Sequence, residues 1–151
     1  MAGNSSDLRF VHQLIADYPE FRFRLNAKRF SYRQNTIFVG PPQPFFGLQT
    51  LHELGHALKG HQDYITHVDR IKIEREAWET AKTVYQKYLN QAKTNPELAE
   101  ILPEWDDDYV EDCLDTYRDW LHANSKCKKC GLTRYQTTDG HYHCPHCENF
   151  A

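Results

Sequence analysis

Apolar residues recur every three or four positions in several stretches of the chain, and this spacing predicts amphipathic helices. Pro19, Gly60 and the Asn95-Pro96 pair are suitable terminators, because proline and glycine end helices. The acidic residues from Asp106 to Asp108 favour the start of the last helix. The predicted helices cover about residues 5–18, 47–59, 68–93, 96–101 and 106–123.

The hydrophobic period changes from helical to alternating between the first two helices. In the run FRFRLN at 21–26, apolar residues alternate with arginines, and strand-like runs continue at 30–32 and 37–39. Asn26 and Asn35 suit the intervening turns. The pattern predicts a short antiparallel sheet of two or three strands, and therefore an α+β fold.

The length of 151 residues allows one compact domain and a small appendage. The composition changes near Ala123-Asn124-Ser125, which predicts a domain at 1–124 and a cysteine module at 125–151. The first ten residues lack a basic region followed by an apolar run, and no stretch approaches about 20 apolar residues. We therefore expect a cytoplasmic protein without a membrane partner.

Charge is distributed unevenly along the chain. Residues 41–125 carry eight basic and sixteen acidic side chains, whereas residues 1–40 and 126–151 are each net positive. The acidic middle argues against a nucleic acid lying across it. The basic ends leave nucleic-acid binding open.

The motif HELGH at 52–56 is the strongest candidate for chemistry. Positions four apart share one helix face, so His52 and His56 are predicted to aim two imidazoles at one zinc ion. Glu53 projects about 100° away from His52. It is the predicted general base, taking a proton from a water that the zinc activates.

The setting of the motif predicts a helix packed in a core. Gly55 in a helix interior costs about 1 kcal/mol relative to alanine, which predicts close approach of another backbone. Four leucines recur on one face of the helix, at positions Leu48, Leu51, Leu54 and Leu58.

A catalytic zinc normally has three protein ligands. Glu74 is the predicted third ligand, because it shares a helix face with the core-forming residues Ala77, Trp78 and Ala81, and a buried carboxylate needs a cation. Glu76 lies about 200° further round the helix. We expect Glu76 to be solvated, with Lys72 and Lys82 as candidate partners. Glu76 and His61 stay open as alternative ligands.

The sequence HELGHALKGH followed by ExxAWxxA resembles the ImmA/IrrE group of HExxH peptidases. The resemblance covers about residues 30–85 and implies a zincin-like domain of gluzincin type, with Glu74 as third ligand and a transcriptional regulator as substrate. Trp78 stands where that family has Asn, and Thr80 where it has Phe. In zincins an edge strand pairs with extended substrate, and NTIFVG at 35–40 resembles it. SprT-like proteases, which also carry a cysteine ribbon after a HExxH domain, are a second resemblance.

Two CxxC pairs near the C-terminus predict a second metal site. Cys127 and Cys130, then Cys144 and Cys147, are separated by thirteen residues, as in a zinc ribbon. Asp139-Gly140 suits the turn of the intervening hairpin. Four thiolates fill a tetrahedral site, so this zinc is predicted to be structural. The ribbon's partner, whether nucleic acid or protein, stays open.

Two classes of function follow from these motifs. The first is an intracellular zinc metalloendopeptidase that cleaves a protein or peptide substrate, with one catalytic and one structural Zn²⁺. The second is a catalytically silent, zinc-stabilised module that binds DNA or protein. A DNA-stimulated, SprT-like protease is a third possibility. The complete HExxH with its glutamate favours the enzyme.

Overall fold

The computed structural model describes residues 5–148. It is α+β, and the five predicted helices are confirmed, with every end within two residues of its predicted position. The first four residues of the predicted domain and the last three of the predicted ribbon lie outside the described range. The described helices are α1 Ser5–Asp17, α2 Phe46–Lys59, α3 His67–Ala92, α4 Pro96–Ile101 and α5 Asp107–Ser125.

Three short strands, β1 (Arg22–Arg24), β2 (Ser31–Arg33) and β3 (Thr36–Phe38), form a sheet with the order β1-β3-β2. β2 and β3 are antiparallel and meet at Gln34 and Asn35, whose φ angles are 50° and 63°. This left-handed backbone is typical of a tight hairpin turn.

The sheet is mixed, which corrects the antiparallel prediction. β1 pairs with the other side of β3 in parallel, with Phe23 opposite Ile37. The connection from β1 turns at Asn26, where φ is 60°, and the N–H of Ala27 donates to the carbonyl of Val39 at 2.9 Å. β3 is therefore the central strand of this sheet, and the expectation that NTIFVG is an edge strand is wrong.

The chain divides into two compact units. The first extends to Gln62 and includes Glu76–Asp106, and the second includes Asp63–Arg75 and the chain from Asp107 onward. The predicted boundary at residues 124–125 stays a prediction. The core of the first unit joins α1, the sheet, α2 and α3, and its fully buried side chains include Phe10, Val11, Leu14, Ile37, Val39, Leu48, Leu51 and Leu54.

The second unit contains the first turns of α3 and the whole of α5. It also contains a small antiparallel hairpin of β4 (Tyr135–Gln136) and β5 (Tyr142–His143). His67 joins these parts. Its backbone N–H donates to Gln136 Oε1 at 2.7 Å, and its ring Nδ1 lies 2.6 Å from the Tyr142 hydroxyl. The same ring lies against Trp120, with centroids 4.1 Å apart.

No helix in the described part of the chain is both long and apolar enough to cross a membrane.

Candidate metal centre

Helix α2 carries the HELGH motif within the core. Leu48, Leu51 and Leu54 are at most 1 % exposed, so the predicted apolar face is buried over most of its length. Leu58, predicted on the same face, is 39 % exposed. It lies in the last turn, two residues before Gly60 ends the helix with φ 65°. The buried face therefore ends near His56.

Gly55 is the point at which α2 meets α3. A Cβ atom at this position would lie 2.9 Å from the carbonyl carbon of Ala77 and 3.2 Å from its Cα, and it would clash with the carbonyl oxygen. The predicted close approach of a backbone is confirmed. Only glycine lets the two helices come this near, and the approach brings the motif against the face of α3 that carries Ala77.

His52, His56 and Glu74 are brought together at this crossing. One ligand atom from each lies within 4.8 Å of the other two. The three residues are only 6 %, 8 % and 8 % exposed. Ala77, Trp78 and Ala81 are also buried, as the shared face of Glu74 predicts. The roles of the three side chains as ligands stay predictions.

Two further side chains border this triad. Glu53 is 6 % exposed, and its Oε1 lies 3.4 Å from Nδ1 of His52. The ring of Trp78 stacks on the ring of His52, with centroids 4.4 Å apart and an interplanar angle of 16°. Trp78 thus holds the plane of a candidate ligand.

His61 and Glu76 differ most from expectation. Nδ1 of His61 lies 2.9 Å from Nδ1 of His56, and its Nε2 lies 3.1 Å from Oε2 of Glu76. The Glu76 side chain is 32 % exposed, so it is half-buried and hydrogen-bonded to His61. Sequence reasoning missed this pairing. The local signal for this pairing was Gly60, because a left-handed glycine at the end of a helix folds the following residue back onto that helix.

The four cysteines of the C-terminal module also come together. Their sulfur atoms all lie within 4.8 Å of one another. The first knuckle is closed by two backbone bonds, from the N–H of Gly131 to the carbonyl of Cys127 at 2.9 Å and from the N–H of Cys127 to that of Leu132 at 2.8 Å. Gly140 has a φ angle of 90°, which confirms it as a turn residue, and Gly131, with φ 79°, turns the first knuckle.

The thiols of the C-terminal module differ in pKa. The backbone N–H groups of Cys130 and then Lys129 lower the pKa of Cys127 to about 6. Hydrogen bonding with the Cys130 thiol, followed by burial, raises the pKa of Cys147 to about 12. The local backbone thus favours a thiolate at Cys127, and the crowding of the other sulfurs disfavours a second negative charge. A cation among them would remove this conflict.

The chain matches no known protein family, curated protein or solved structure. A function can therefore be proposed only from the chemistry of the two donor sets. Two imidazoles and a carboxylate are a donor set typical of a catalytic zinc, and four thiolates are typical of a structural zinc. Both sets fit the metal expected of them, since each gathers at one point donors that bind Zn²⁺.

Proposed function

We propose that the protein is a zinc-dependent metalloendopeptidase of the zincin-like, gluzincin type. The observation that carries the proposal is the convergence of His52, His56 and Glu74 within 4.8 Å, with Glu53 of the same HExxH motif beside them. A helix bearing HExxH with a glutamate from the next helix is the arrangement that the ImmA/IrrE resemblance implies.

The burial of Glu74 supports the proposal that a metal ion binds at this site. Glu74 as a whole residue is 8 % exposed, and removing a carboxylate from water is costly unless a cation or strong donors replace the water. Three protein ligands leave one position of a tetrahedral zinc open. A zinc ion bound there would polarise a peptide carbonyl and lower the pKa of a water molecule.

Glu53 is proposed as the general base. It follows His52 directly in the chain, so it lies beside the ligands while projecting along a different direction of the helix. Its side chain is 8 % exposed, so its carboxylate is held beside the candidate ligands and away from bulk solvent. Its role is to accept a proton from the attacking water and to pass it to the leaving amine.

Cleavage of unfolded protein tests this proposal directly. Purified zinc-loaded protein is incubated with fluorescently labelled, denatured casein, alongside the Glu53→Gln variant. We expect cleavage by the wild type and a loss of at least 100-fold in the variant, which is the scale of a missing general base. Zinc content should be equal in both. Equal turnover by the two proteins would contradict the mechanism.

The four-cysteine module is proposed to hold a structural zinc. Four thiolates leave no open position for a water or substrate, so this metal would stabilise the fold of the module rather than act in catalysis.

An added arm of the casein experiment, with double-stranded DNA present, tests the DNA-stimulated alternative. Stimulation by DNA would favour the SprT-like resemblance. Its absence, together with cleavage, favours a peptidase whose partner is a protein substrate such as a regulator.

A further inference from the structure

Three side chains form a hydrogen-bonded line that leads to the metal centre from outside it. Oε2 of Glu76 lies 3.1 Å from Nε2 of His61, and Nδ1 of His61 lies 2.9 Å from Nδ1 of His56. The His61 side chain is 11 % exposed, so little water competes for its nitrogens.

Helix termination produces this line. The backbone N–H groups of Gly60 and His61 return to the carbonyls of Ala57 and His56, both at 3.1 Å. Gly60 adopts the left-handed conformation that this return requires. The ring of His61 is thereby folded back against the ring of His56, with centroids 5.1 Å apart.

The proton positions along the line follow from what each group can do. An ionised carboxylate only accepts hydrogen bonds, so Nε2 of His61 must carry a proton toward Glu76. In the neutral form of His61 this is the ring's one N–H, so Nδ1 of His61 is an acceptor. Nδ1 of His56 must then donate to it. His56 is left with a lone pair on Nε2, which is the form that binds a metal.

We propose that His61 and Glu76 are positioning residues, which hold His56 in the tautomer and orientation that present Nε2 to the metal. The two residues act through His56 and do not touch substrate. The proposal rests on the metal-binding part of the proposed function and is independent of peptide cleavage. It also gives both ring nitrogens of His61 a role other than metal ligation.

The tautomers can be read without metal. Two-bond ¹H–¹⁵N correlation spectra of the metal-free protein report which ring nitrogen of each histidine is protonated, with His56 and His61 assigned from single variants. We expect a proton on Nδ1 of His56 and on Nε2 of His61 in the wild type. In Glu76→Ala, both rings should show a mixture of tautomers. A proton on Nε2 of His56 in the wild type would overturn the proposal.

Zinc affinity is the second measurement, made by competition with a chromophoric chelator. Loss of an outer hydrogen-bond partner of a metal-ligating histidine typically costs 10–100-fold in affinity. We expect this loss in His61→Phe, which keeps a ring but removes the acceptor, and in Glu76→Ala. Glu76→Gln retains an acceptor oxygen and should recover part of the loss. Glu79→Ala, an exposed carboxylate of the same helix, is the control and should bind like the wild type.

Unchanged affinity in both His61→Phe and Glu76→Ala would also overturn the proposal. The positioning role and the peptidase activity can be refuted separately. The expected tautomers and affinities without any casein cleavage would refute the peptidase and leave the positioning role intact. Cleavage that depends on Glu53, with the wrong tautomer at His56, would do the reverse.

Discussion

The indole of Trp78 lies flat on the imidazole of His52, 4.4 Å between centroids and 16° from parallel. Trp78 meets Trp105 edge to face at 6.1 Å, and Trp105 in turn lies 5.3 Å from Tyr85. A row of aromatic rings thus supports one candidate metal ligand from behind. An imidazole fixed in this way loses little rotational freedom when it binds a metal.

Replacing Trp78 should therefore affect both stability and metal binding. Because Trp78 is 3 % exposed, Trp78→Ala is expected to lower the free energy of unfolding by about 3–5 kcal/mol. Trp78→Phe retains a stacking ring and should lose less. Urea unfolding of the metal-free proteins and zinc competition of the folded ones give the two quantities. Wild-type zinc affinity in a folded Trp78→Ala protein would show that the stack does not orient His52.

Gly55→Ala tests the crossing of α2 and α3. The added methyl group meets the Ala77 backbone, which cannot move aside as a side chain can. We expect a loss of about 1–3 kcal/mol in unfolding free energy, the usual cost of overpacking, together with weaker zinc binding because Glu74 moves relative to the histidines.

Gly60→Ala is the matched control for Gly55→Ala. A Cβ at Gly60 meets nothing within 4 Å, but its φ of 65° strains an L residue. This variant should lose about 1–2 kcal/mol, the cost of a left-handed L residue, and its loss of zinc affinity should come from displacement of His61 rather than of Glu74. If Gly55→Ala were as stable as the wild type by urea unfolding, the close approach of the helices would be refuted.

Glu74 should dominate the other acids of α3 in binding metal. Glu74→Ala removes a predicted ligand, so zinc affinity should fall by well over 100-fold, beyond the 10–100-fold expected for an outer partner such as Glu76. Glu79→Ala should change nothing. Equilibrium competition on the three variants gives the ranking. A larger loss in Glu76→Ala than in Glu74→Ala would mean that the third ligand has been misassigned.

Two metal ions per chain are expected, and they should be removable one at a time. His52→Ala should leave about one zinc, held by the cysteines. Replacing Cys127 and Cys130 by serine should also leave about one, held by the histidines and Glu74. Elemental analysis of the purified proteins measures both. Two zinc ions retained in His52→Ala would contradict the HELGH assignment.

Several features of the fold could be predicted because their causes are local. Gly60 ends α2, and proline follows Asn95 at the start of α4, as backbone geometry requires. The burial of Glu74 followed from its spacing to Ala77 and Ala81 on one helix face. The same helical periodicity set His52 and His56 side by side.

Long-range pairing decided the rest. The alternating pattern at 21–26 identified a strand, but a pattern of period two carries no information on which neighbour the strand chooses or in which direction it pairs. β1 pairs in parallel with β3 and leaves it in the centre of the sheet. The edge-strand expectation failed for that reason.

By itself, the sequence predicted the helices, the HExxH pair of histidines, the two CxxC pairs and the glycine that allows α2 and α3 to touch, since each depends on residues a few positions apart. Only the tertiary structure decided the partners of those donors. Trp78 stacks on His52 across 26 positions of sequence, and His61 reaches Glu76 across 15. Such contacts depend on how helices cross and on how a loop folds back. The packing of the whole core sets both, and no local pattern specifies them.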